Sequence, residues 1–184
     1  MRPRPSLVAC GVLLLALLHA LWGVRLLVNG RTFLAGTQLV SAGGLLLAAV
    51  SVPSPRTFST GFAIAALATG VRLLANLSSP GPFLAPTAAL VAGMGAVGWG
   101  AARREAAESP AWVPLALRGG FYGLAAAYAG FAALGATGGS PAFDLAELLV
   151  RASAAFACGL FVDAPPLRTR ERKAFPEAPP MRTP

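Results

Sequence analysis

Runs of about 20 predominantly apolar residues recur along this chain with only short polar breaks between them, and a helix of that length is what crosses a ~30 Å hydrocarbon core. They fall at roughly Ser6–Val28, Thr32–Val52, Thr57–Leu77, Phe83–Ala102, Val113–Ala136 and Phe143–Val162. The breaks "NGR", "PSPR", "SSPGP", "RREAAESPAW" and "TGGSPA" carry the Gly and Pro that end one helix and let the next begin. Only 12% of residues are charged, against about 25% in a soluble domain, so there is too little charge to cover a water-facing surface. The expected fold class is an all-α integral membrane protein with six transmembrane helices.

The loops set the expected orientation. The N-terminus, second loop, fourth loop and tail hold Arg2, Arg4, Arg56, Arg103, Arg104, Arg168, Arg170, Arg172, Lys173 and Arg182, whereas the other three loops hold only Arg31. The positive-inside rule then places both termini in the cytoplasm. The N-terminal run resembles a signal peptide, but no small-x-small cleavage site follows it, and the expectation is a retained first helix. "LVAC" at Leu7–Cys10 resembles a lipoprotein box, yet its apolar stretch follows the cysteine instead of preceding it. Residues 1–163 form the expected membrane domain. Residues 164–184, rich in Pro and Arg, read as a disordered cytoplasmic tail.

An internal repeat adds to this. "GVRLLVN" at Gly23–Asn29 returns as "GVRLLAN" at Gly70–Asn76, and "FLAGT" at Phe33–Thr37 returns as "FLAPT" at Phe83–Thr87. A weaker third copy aligns Gly130 with Gly70 and Phe143 with Phe83. The chain therefore reads as three duplicated helical hairpins, at about 6–52, 57–102 and 113–162, all pointing the same way as parallel repeats. The third copy has Ala132 where the second has Arg72, and its second helix carries Asp144, Glu147 and Arg151 on one stripe.

Charge facing lipid is expensive, about 2.5–3.5 kcal/mol for a central Arg or Asp on the insertion scale. The candidate polar cluster is accordingly Arg25, Arg72, Asp144, Glu147 and Arg151, with the repeated arginines facing carboxylates from the third hairpin. The simpler alternative extends Arg25 and Arg72 to the outer headgroups and pairs Glu147 with Arg151 within one helix, at i, i+4. Arg151 is too deep to reach the surface, and a carboxylate or carbonyl is expected beside it. His19 is a weaker candidate, more simply a hydrogen-bonded structural residue. Small residues at spacing four (Gly61 and Ala65, Ala92, Ala96 and Gly100, Gly119 and Gly123, Ala126 and Gly130) mark expected helix contacts. They predict a tight bundle with little internal volume.

No catalytic, metal or cofactor motif is present. One histidine excludes bis-histidine haem within one chain, and the sole lysine, Lys173, lies in the tail, away from any retinal site. HExxH is missing, "VSAGG" around Ser41 does not supply the GxSx motif of a serine nucleophile, and neither Cys10 nor Cys158 belongs to a CxxC motif. The net charge of +8 sits at the ends of apolar runs, which points to anionic lipid headgroups and not to nucleic acid. Arginine-, alanine- and glycine-rich usage suggests a bacterial inner-membrane protein. The first functional expectation is a non-enzymatic subunit or accessory factor of a larger membrane complex, with protein partners or copies of itself. The alternative is a small transporter or lipid- or small-molecule-binding protein using an outer-leaflet arginine/carboxylate site. No cofactor is expected.

Overall fold

A computed structural model describes residues 7–52, 54–77, 81–104 and 112–162. The expected tail and the N-terminal basic residues lie outside them. Among the described residues the chain is all helical: α1 Leu7–Val28, α2 Thr32–Val50, α3 Pro55–Asn76, α4 Leu84–Arg103, α5 Trp112–Thr137 and α6 Ala142–Phe161. Each helix occupies one of the apolar runs, with ends within two residues of those expected. Helices α1 to α4 are long and apolar enough to cross a membrane. Helix α6 carries three charges, Asp144, Glu147 and Arg151, inside its span.

Local chemistry explains the ends. Gly30 and Gly139 both have φ 74°, a left-handed conformation that costs glycine nothing. After α1, Gly30 N–H donates to Leu27 O (3.0 Å) and Arg31 N–H to Leu26 O (2.9 Å). After α5, Gly139 N–H donates to Ala136 O (3.4 Å) and Ser140 N–H to Gly135 O (2.9 Å). Both are Schellman caps, satisfying carbonyls that a helix end would otherwise leave orphaned. Pro55 begins α3 at a position where its missing N–H costs nothing.

Short connections make consecutive helices antiparallel neighbours. Each helix packs on the next, and α1 closes on α6 through the least extensive of the six interfaces, giving a ring in sequence order. The end carrying the α1–α2, α3–α4 and α5–α6 connections is called distal here. The proximal half of the ring is solid. Val12, Leu45, Phe62, Met94, Val97, Phe121 and Cys158 are all buried there, and Phe62 meets Phe121 edge-on at 5.7 Å across the ring interior. Trp99 stacks on Trp112 at 4.2 Å with the Arg103 guanidinium 5.9 Å from the Trp99 ring, a pairing suited to a membrane interface.

The backbone approaches differ in part from the small-residue pattern. Gly61 packs against Gly44: a Cβ on either would strike the other's carbonyl oxygen, so α2 and α3 touch main chain to main chain. The equivalent contact between α4 and α5 joins Gly93 to Gly120, not Gly119, where a Cβ would meet nothing within 4 Å. Gly123 and Gly130 make only ordinary contacts, with Gly93 Cα at 3.8 Å and Pro86 Cβ at 3.6 Å. Ala65 is fully buried, whereas Ala92 is exposed. Spacing four identifies the stripe but not its phase, because a one-residue step turns a helical side chain by about 100°. Outward positions such as Leu67, Leu74 and Leu115 are exposed and apolar.

Candidate functional site

The distal half of the ring is hollow. A cavity of about 510 Å³ is lined by residues of all six helices, and Arg31, Gly81 and Ser140 from the three distal connections border its mouth. This overturns the expectation of little internal volume. Tight glycine contacts bring neighbouring helices together pairwise, but a ring of six leaves a centre that side chains fill only on the proximal side.

His19, Tyr128 and Arg151 form the floor. Each lies nine residues from the distal end of its helix, about 13 Å down at 1.5 Å per residue. His19 is buried, and its Nδ1 donates to Leu15 O at 2.9 Å. In the neutral ring Nε2 is then an acceptor, and the Tyr128 hydroxyl, 3.2 Å away, donates to it. The lone histidine is thus held between α1 and α5. Sequence alone does not single out Tyr128 as its partner; both tyrosines of the chain, Tyr122 and Tyr128, lie in α5, and which of them faces inward depends on the rotation of that helix.

One wall is ionic. The side chains of Glu147 and Arg151 are only 3% and 5% exposed, and they pair one turn apart on α6. Arg151 also donates to the Leu18 carbonyl of α1 at 2.6 Å. Toward the mouth, Arg25 donates to Asp144 at 2.8 Å and lies 3.7 Å from Glu147. Its guanidinium sits 5.2 Å from the Trp22 ring centroid and 5.3 Å from that of Phe143. Four candidates from the sequence (Arg25, Asp144, Glu147 and Arg151) therefore meet across the α1–α6 seam, where the ring closes. The i, i+4 pair and the interhelical pair coexist at this seam.

Arg72 is placed differently. It lines the same cavity from α3, the helix opposite α6 in the ring, and makes no hydrogen bond or ion pair among the described residues. Its Nε is shut off from solvent without an acceptor, and on neighbouring α2 the Gln38 Oε1 is shut off without a donor. The duplicated arginines thus have different fates. Arg25 is adjacent to the carboxylate helix, whereas the cavity lies between Arg72 and that helix. The remaining lining is largely apolar, with Trp22, Leu34, Leu90, Phe131 and Leu148 among it.

Arg31, Gln38 and Asn76 also line the cavity without having been singled out from sequence. An uncharged Gln inside an apolar run was a legible sign, whereas Arg31 and Asn76 looked like ordinary loop and helix-end residues. Among the described residues no group of three or more His, Cys, Asp or Glu side chains is arranged to hold a metal ion. The cavity thus combines a largely apolar lining with a few convergent polar and charged groups. Comparison with known protein families, with curated proteins and with solved structures finds no match to this chain.

Proposed function

We propose that the chain is a six-crossing protein of the bacterial inner membrane that binds a small molecule in its distal cavity, as a carrier or receptor without catalytic chemistry of its own. The single observation carrying this reading is the cavity enclosed by all six helices. A subunit that served only to hold other subunits together would have no use for a polar-floored hollow, since each intramembrane charge around it carries an insertion cost. The basic residues of the proximal loops support cytoplasmic termini, which opens the cavity to the outer side. The matching caps at Gly30 and Gly139 support the view that the hairpins arose by duplication. Repeats gathered around a central site are a common transporter plan.

A second reading, membership of a larger complex, has its own support. Gly36, Gly43, Gly95 and Gly119 face outward, where a Cβ would meet nothing within 4 Å. Open glycines of this kind let a partner helix approach closely, and anionic lipid headgroups at the cytoplasmic face are the other expected company.

Native mass spectrometry on protein released from lipid nanodiscs separates the two. A small-molecule adduct on the single chain, lost in the cavity-filling variant Leu90→Trp, supports the binding reading. A discrete larger assembly with no adduct overturns it in favour of the complex.

A further inference from the structure

We infer that Arg72 is the seat for the anionic head of an amphiphilic ligand, a phosphate or carboxylate carried on an apolar stem; this rests on the cavity being a binding site.

Only two carboxylates, Asp144 and Glu147, occur among the described residues. Both stand on α6, and both are engaged by Arg25 and Arg151. Arg72 and Arg31 border the same cavity, and among the described residues no further carboxylate is left to face them. Arg31 is exposed at the mouth and reaches water. Arg72 stands four residues inside the end of α3, about 6 Å down, with a buried Nε that lacks an acceptor.

A guanidinium in that setting, half-buried and with no acceptor for its Nε, calls for an anion, because a charge held partly out of water without a partner carries a desolvation cost. Its planar fork presents parallel N–H donors that match the oxygens of a carboxylate or phosphate. A bare inorganic ion would leave the rest of the volume unused. Between the polar floor and the ionic α6 wall, much of the remaining lining is hydrocarbon and aromatic (Leu90, Phe131, Leu148 and Trp22), and it fits an apolar body. Closer to the head, the Gln38 amide is free to accept from a protonated oxygen or a hydroxyl.

The test uses the full chain in phosphatidylcholine nanodiscs, titrated with decyl phosphate, decanoate, decanol and inorganic phosphate, and read by native mass spectrometry and thermal shift. Decyl phosphate or decanoate should bind saturably. Arg72→Gln should weaken that binding at least tenfold, Arg72→Lys should retain part of it, and Arg103→Gln at the other end should leave it unchanged. Decanol binding as tightly as the anions, or Arg72→Gln without effect, overturns the anion seat while leaving the cavity reading intact. Inorganic phosphate binding as tightly as decyl phosphate overturns the amphiphile. If no probe binds and Leu90→Trp behaves as the parent chain, the binding reading itself falls, and this inference with it.

Discussion

Glu147 and Arg151 lie one turn apart on α6, both almost wholly buried, and the arginine that holds the carboxylate also reaches the Leu18 carbonyl of α1. One residue therefore neutralises its own helix and fastens the least extensive interface of the ring. Further along the same seam, the half-exposed Arg25 holds Asp144. The two ion pairs differ in what surrounds them, and that difference should be measurable.

Glu147→Gln leaves a buried guanidinium without its counter-ion and should cost about 3–5 kcal/mol. The double change Glu147→Gln with Arg151→Met removes the charge altogether and should recover most of the loss. Arg25→Gln, at a side chain 40% exposed, should cost under about 1 kcal/mol. Thermal unfolding in a mild detergent orders the three variants. Equal losses for Glu147→Gln and Arg25→Gln would show that the seam is uniformly wet.

Tyr128→Phe keeps the ring packing and deletes one hydroxyl. The buried His19 Nε2 then loses the donor that Tyr128 supplies, which should destabilise the chain by about 1–3 kcal/mol. His19→Leu in the Tyr128→Phe background should be better tolerated than Tyr128→Phe alone, since both polar partners are then gone. The same unfolding assay reads both, and additive losses would contradict the pairing.

Adjacent glycines on α5 should respond oppositely to one methyl group. Gly119→Ala meets nothing within 4 Å and should be neutral, whereas Gly120→Ala strikes Val97 and the Gly93 carbonyl. Forcing extra volume into so close a contact costs about 1–3 kcal/mol. Expression level and melting temperature of the two variants make the comparison, and indistinguishable behaviour would mean that α4 and α5 are not in backbone contact.

Orientation is open to labelling. With Cys10 and Cys158 replaced by alanine, a single cysteine at Arg31 should react with a membrane-impermeant maleimide added to intact spheroplasts. One at Arg104 should react only after permeabilisation. The reverse pattern would put the cavity mouth in the cytoplasm and remove the outer-leaflet reading.

The helices and the membrane were legible in the sequence because both depend on local, one-dimensional properties. A run of apolar residues of spanning length, ended by Gly or Pro, specifies a helix wherever it lies in the chain. The same holds for Glu147 and Arg151, whose pairing follows from helical pitch alone. Phase was harder: the small-residue spacing was visible, but whether Gly119 or Gly120 meets α4 depends on how α5 is rotated within the bundle.

Tertiary structure decided the rest. Nothing local says that α1 closes on α6, yet that closure brings Arg25 to Asp144 across 119 positions of chain. Gly23–Asn29 and Gly70–Asn76 differ at a single position, but one arginine pairs with a carboxylate of α6 while the other lines the cavity unpaired. Identical local sequence fixes how deep a charge sits along its helix. Only the order of helices around the ring fixes which charge it faces, and on that order the cavity and its unmatched arginine depend.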